Sequence, residues 1–247
     1  MHTRRLKTGY RYVSARMHAR TRARQCTHTH THTRTHTCTH AHARARVTCD
    51  SYAQVLIVQD ETRTTAGAAM NVGVGSMHDA PDFPGLAHAV EHCLFLGTRD
   101  YPSDSEHSQF LATHGGSANA YTSLEDTNYF FSVSSDALDE ALSRFSGFFK
   151  APLFLESAIV RELAAVESEH SKNLQSDAWR GFQLLKHMAN PASRFNSFST
   201  GSLATLNHTG IRAAMMAFTL MHYTAPNMRL TIVAPQPARV VAAMVNA

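Results

Sequence analysis

Acidic side chains are missing from the first 47 positions of this chain, a stretch that carries 11 of the 23 Lys+Arg and 8 of the 17 His. The remainder, from Thr48 onward, keeps 12 basic residues against all 19 acidic ones, so it sits near −7 although the whole chain is formally +4. The excess positive charge belongs to the tail and points to no nucleic-acid surface on the rest. Cysteine is sparse, with four residues (Cys26, Cys38, Cys49, Cys93) and no C-x-x-C pair, which argues against a disulfide framework in 247 residues. No apolar run approaches the ~20 residues of a membrane span, and no secretory core follows Met1. A membrane partner is therefore not expected, and the cytoplasm is the expected compartment.

The tail has a pattern of its own. In "QCTHTHTHTRTHTCTHAHARARVTC" Thr or Ala alternates with His, Arg or Cys. A CA-type or CG-type dinucleotide repeat read in frame yields the same alternation, so the stretch resembles translated simple-sequence DNA. Competing readings are a loose metal-binding tract, a phosphate-binding tract and an acid-free transit peptide, which would send the protein to a mitochondrion or another organelle. With few large apolar side chains, residues 1–47 are expected to be disordered and 48–247 to be the folded domain.

From about Tyr52 the signals become those of packed structure. "AQVLIVQD" and "TAGAAMNVGVGSM" read as strands, and "MRLTIVAP" as a last one. "SANAYTS" and "TNYFFSVS" read as a hairpin around "LEDT". Helices are expected from Gly85 to about Phe95, from Ser103 to His114, over "DALDEALSRFSGFFK", between Leu155 and about Met188 with breaks, over "TGIRAAMMAFTLMHY", and at the end. Ser103 with Glu106 has capping-box spacing. Strands and helices mixed in this order predict an α+β domain, one mixed β-sheet packed against helices.

Within the first helix stands "HAVEH". His88 and His92, four apart, share one helix face and can aim both rings at one point. Two neutral imidazoles at that spacing make half of a tetrahedral zinc site. Glu91 overhangs the same point and could take a proton from metal-bound water and return it to a leaving amine. The order is that of H-E-x-x-H reversed, an inverzincin. A third ligand is required, and "RELAAVESEHSKN" offers Glu162, Glu167, Glu169 and His170; spacing alone selects none of them.

The run "GLAHAVEHCLFLGTRDYPSDSEHSQFLATHGGSANAYTSLEDTNYFF" resembles the pitrilysin (insulinase) family of zinc metallopeptidases. The resemblance continues through "RELAAVESEHSKNLQSDAWRGFQL" and "FSTGSLATL", over roughly residues 54 to 235. It implies a pitrilysin/processing-peptidase-like fold, one zinc ion per catalytic domain, and hydrolysis of a peptide substrate. It also implies Glu169 as the third metal ligand beside His88 and His92, and Glu162 as a second carboxylate that joins Glu91 in the catalytic set by supporting the site. Asn119 and Ala120 match a sheet edge onto which peptide adds as a strand, with a turn-capping asparagine as the alternative for Asn119. Trp179 and Phe182 match aromatics lining the pocket beyond the scissile bond, with core packing as the alternative for both. Glu167 and His170 read as a solvated helix face. Two departures stand out: the motif interior Ala89-Val90 is slim, and Cys93 adjoins a ligand, where it reads as a small hydrophobe. Family members carry further homologous domains, so this chain is expected to end in or just after the first. The competing reading is a catalytically silent member serving as a structural or peptide-binding subunit.

Overall fold

The computed structural model describes the backbone of residues 43–48 and all of residues 54–246. Its elements in chain order are β1 (Ala43–Thr48), β2 (Gln54–Gln59), β3 (Thr65–Val72), α1 (Leu86–Leu94), α2 (Glu106–Thr113), β4 (Ser117–Thr122), β5 (Thr127–Ser134), α3 (Leu138–Lys150), α4 (Glu156–Asn173), α5 (Asp177–Met188), α6 (Leu203–Leu206), α7 (Ile211–His222), β6 (Met228–Ala234) and α8 (Ala238–Asn246).

The strands form one mixed sheet in the order β1-β2-β6-β3-β5-β4. Only β2 and β6 run parallel; every other neighbouring pair is antiparallel. Period-two patterning explains which face is covered. In β5, Thr127, Tyr129, Phe131 and Val133 are buried while Phe130 and Ser132 are exposed, the alternation of a sheet with one packed face. Ile57, Val72 and Ile232 continue that buried face, and the helices supply the rest of a single core. At its centre Phe145 of α3 meets both Phe131 and Phe148 edge-on, and the Tyr129 and Tyr223 hydroxyls share a 2.7 Å hydrogen bond. A phenol that deep needs such a partner.

Two expectations change. β1 occupies the last five residues of the stretch expected to be disordered, and pairs along its whole length with β2; its Ala/Arg alternation has the period of a strand. The other readings of the tail fall on residues 1–42, outside the described residues. The capping box at Ser103 is not formed either. Ser105 is the N-cap of α2, and the Glu106 carboxylate pairs with Arg144 at 3.1 Å. Arg144 itself lies over the Phe110 ring at 3.9 Å, a planar cation stacked on an aromatic face that holds its carboxylate partner away from the helix end. Among the described residues no helix is long and apolar enough to cross a membrane.

Candidate metal centre

The centre is assembled on α1, whose first turn is anchored in an unusual way. Asp79, from the preceding loop, accepts hydrogen bonds from Gly85 N (2.7 Å) and Ala87 N (2.8 Å), and its carbonyl accepts from the Arg194 guanidinium. Two of the amides left over at the helix start are thereby satisfied. Burial pushes the Asp79 carboxyl up to about 7 against those bonds. Leu86, Ala87, Ala89, Val90, Cys93 and Leu94 are all buried. The slim Ala89 lies inside the core, and burial drives the Cys93 thiol up to about 12, which leaves it an inert hydrophobe. His88, Glu91 and His92 share the remaining side, along a cavity of about 810 Å³.

His88 Nε2 and His92 Nε2 stand 3.3 Å apart. From α4, Glu169 brings Oε2 to 3.4 Å from His88 Nε2 and Oε1 to 3.7 Å from His92 Nε2. Ligands about 2.0–2.1 Å from a tetrahedral zinc lie roughly 3.4 Å from each other. These three side chains therefore already sit at the spacing of one tetrahedral face, and they are the one such group of metal-binding side chains among the described residues. Both rings have their other nitrogen engaged. His88 Nδ1 donates to the Thr200 carbonyl at 2.7 Å, and His92 Nδ1 meets Glu162 Oε2 at 3.3 Å. A proton held on Nδ1 leaves each Nε2 with a bare lone pair aimed at the common point, as a metal ligand requires. The residues fit a zinc ion.

The electrostatics agree with that donor set. Burial alone would pull His88 down, but the Glu169 carboxylate, the Thr200 carbonyl and the charge of Glu91 carry it above its ordinary value. Glu169 is correspondingly lowered, chiefly by its bond to His88. Glu91 is raised, because burial outweighs the bond donated by Thr122 Oγ1 and the pull of the two histidines.

Asn119 and Ala120 lie on β4, an edge strand of the sheet, and both line the cavity. Asn119 is in mid-strand rather than at a turn, and its Oδ1 accepts from Ala120 N at 2.9 Å. That amide therefore points outward from the sheet. Trp179 (48% exposed) and Phe182 (36% exposed) line the same cavity from α5 with their rings edge to face. They are not core residues. Glu167 departs from the reading as a solvated carboxylate: it is half-buried, and Oε2 accepts from Leu203 N at 2.7 Å. Thr122, Thr200 and Asp79 escaped the sequence reading: the Thr200 carbonyl contributes whatever its side chain is, Thr122 acts on a residue distant in sequence, and Asp79 reaches the start of α1 only through the turn of the loop between them.

Residues 54–192 match the family described as insulinase, peptidase family M16. The chain belongs to this family of zinc metallopeptidases. Over 185 residues it is 47% identical to insulin-degrading enzyme of Bos taurus and, over the same length, 46% identical to that of Homo sapiens, in each case covering 72% of this chain and 18% of the relative. A relative named as peroxisomal in Arabidopsis thaliana, insulin-degrading enzyme-like 1, is 42% identical with 19% of its length covered. Crystalline pitrilysin superposes with a TM-score of 0.81 at 30% identity, over 85% of this chain and 23% of that one. This insulinase-family chain thus spans under a fifth of the length of these curated relatives.

Proposed function

We propose that the chain is the catalytic domain of a zinc endopeptidase, with the ion held by His88, His92 and Glu169. The observation that carries the reading is the pair of imidazoles with Nδ1 occupied and Nε2 converging, 3.3 Å apart, beside the Glu169 carboxylate. When bound, zinc supplies a Lewis acid that polarises a carbonyl oxygen and acidifies a water.

The remaining work falls to side chains. Thr122 fixes Glu91 Oε2, leaving Oε1 to receive a proton from the attacking water and to pass it to the amine that departs. The raised pKa of Glu91 brings its proton affinity nearer to neutrality, where a group must both take and give. Glu162 orients His92 through its Nδ1. The peptide lies along the β4 edge, where the outward Ala120 N–H exchanges its bond to Asn119 Oδ1 for a substrate carbonyl, and the freed Asn119 amide bonds the peptide backbone. Trp179 and Phe182 receive the side chain beyond the scissile bond.

The test pairs elemental analysis with a fluorogenic-peptide assay on the 247-residue chain. One tightly held zinc, lost in His88→Ala, and hydrolysis that a chelator abolishes are the expected results. The free edge of β4 along the cavity, able to take a peptide strand with no chemistry at Glu91, favours a second reading, a peptide-binding module that holds zinc without turnover. Zinc retained with no hydrolysis would select it, and no tight zinc at all would end the first reading. The compartment is read as cytoplasmic, to be tested by fractionation with and without residues 1–42.

A further inference from the structure

The side chain that the sequence left as a solvated carboxylate, Glu167, stands in a chain of contacts that ends on the metal centre. Glu167 Oε2 accepts from Leu203 N at 2.7 Å, at the start of α6. Three residues earlier, Thr200 offers its carbonyl to His88 Nδ1, also at 2.7 Å. Between them lies Gly201, with φ of +83°, packed on three sides. A Cβ placed there would stand 2.6 Å from Leu206 Cδ1, 3.3 Å from Gly85 Cα and 3.4 Å from Val166 Cγ1. From the opposite side, a Cβ on Gly85 would meet Gly201 Cα at 2.2 Å. The 200–203 segment is thus clamped between the first turn of α1, which leads into His88, and α4, which carries Glu169.

We infer that Glu167 is a positioning residue for the metal centre: by holding Leu203 N it holds the Thr200 carbonyl against His88 Nδ1. This rests on the zinc reading above and extends it. An imidazole is useful as a ligand only in the tautomer that leaves the facing nitrogen bare, and the hydrogen bond on the other nitrogen selects that tautomer. For His88 the selecting group is a main-chain carbonyl in a loop, free to drift unless the loop is tied down. Gly201 is packed by Gly85 at the start of α1, Val166 of α4 and Leu206 of α6; Glu167 supplies the tie at the far end. Because the tie comes from α4, two residues before Glu169, the first and third ligands are set relative to each other by a path that does not pass through the ion. A carboxylate that merely capped α6 would affect the stability of that short helix and nothing at His88.

Two measurements separate the cases, both on the full chain. Chelator competition gives zinc affinity, with His88→Ala supplying the baseline due to the histidines of residues 1–47. Long-range proton–nitrogen spectra of the metal-free, histidine-labelled chain report the His88 tautomer. Glu167→Gln, whose amide oxygen still accepts from Leu203 N, is expected to stay within about threefold of the unsubstituted affinity. Glu167→Ala is expected to weaken zinc by ten- to a hundredfold, the range for removing an outer partner, and to show a mixture of His88 tautomers while retaining its circular dichroism. Gly201→Ala disturbs the same loop without touching Glu167, and covers the case in which Glu167→Ala does not fold; it is expected to weaken zinc and mix the tautomers likewise. Unchanged affinity and a single Nδ1–H tautomer in folded Glu167→Ala, or in folded Gly201→Ala should the first not fold, overturn the inference. If the unsubstituted chain binds zinc no better than His88→Ala, the zinc reading fails by itself, and the tautomer spectra still decide the role of Glu167.

Discussion

Glu91 holds a carboxylate among buried apolar side chains, only 8% exposed, where ionisation is opposed by burial. A fold that needed only a filled position there would use leucine, so the carboxylate has to be accounted for by its chemistry. Replacing it with glutamine keeps the shape and the acceptor for Thr122 but removes the ability to take a proton. Glu91→Gln is expected to leave zinc content unchanged and lower kcat by about 10²–10⁴-fold with KM within twofold, measured with a fluorogenic peptide at saturating zinc. Full activity in Glu91→Gln would rule out its role as the base. His107 presents the opposite case. It is 4% exposed, neither ring nitrogen has a hydrogen-bond partner among the described residues, and Phe131, Phe145 and Phe148 surround it. Burial, with the nearby Arg144 charge, lowers it to about 4. A base depressed in the folded state binds its proton more readily when unfolded. Its contribution is therefore complete above about pH 6.5 and disappears as pH falls toward 4, a loss of about 3 kcal/mol. His107→Leu should remove that part of the acid sensitivity: urea unfolding at pH 7 and pH 4 is expected to show the variant losing about 3 kcal/mol less than the unsubstituted chain. Equal losses would mean that another group sets the acid limb.

At the scale of elements, α1 meets the 200–203 segment where Gly85 abuts Gly201, and Thr200 of that segment accepts from His88 Nδ1. Gly85 takes φ of +95° and would put a Cβ 2.2 Å from backbone, which cannot rotate away. Gly85→Ala therefore combines left-handed strain with a main-chain clash, and about 3 kcal/mol or more of destabilisation is expected, together with weaker zinc binding. An urea midpoint and zinc affinity within error of the parent would show that the two backbones can separate at no cost. Gly85 was legible in the sequence only as the start of a helix. The same limit applies to the rest of the fold. Strands such as "TNYFFSVS" and helices such as "DALDEALSRFSGFFK" were readable because one side of each packs on the core, and burial imprints its period on the residues. His88, Glu91 and His92 were readable because polar groups interrupt that period. Which carboxylate of α4 completes the set was not readable from spacing, since Glu162, Glu167 and Glu169 all lie on one helix and differ in what they touch: His92, Leu203 N and the two Nε2 atoms. β1 was missed for a different reason. Its alternation belongs to a longer repetitive run with no apolar contrast, so period alone did not separate a strand from the tail.

Across the whole molecule the distribution of apolar surface is uneven. α7 has the sequence IRAAMMAFTLMH, with Arg212 and His222 as its only titratable side chains. Met215 and Phe218 are buried in the core, yet Met216 (47%), Leu220 (83%) and Met221 (70%) stand exposed on other sides of the helix. A helix apolar all round is built to be covered all round, and contiguous exposed apolar surface on a soluble protein marks contact with something else. α5 adds Leu184 (59%), Leu185 (58%) and Met188 (76%). The full-length relatives carry more than four-fifths of their residues outside the matched region, so chain able to cover such faces exists in the family. In the 247-residue chain by itself, these side chains face water, and concentration-dependent self-association is expected in sedimentation velocity at micromolar protein. Leu220→Lys with Met216→Lys should shift the distribution toward monomer. Both positions are exposed, so the unfolding free energy should change by no more than about 1 kcal/mol for the pair, the ordinary range for two surface substitutions. Zinc affinity should be unchanged, because α7 contributes no ligand. A chain that stays monomeric before substitution, or a double variant that loses stability by several kcal/mol, would show that the outward side of α7 is already satisfied within this domain.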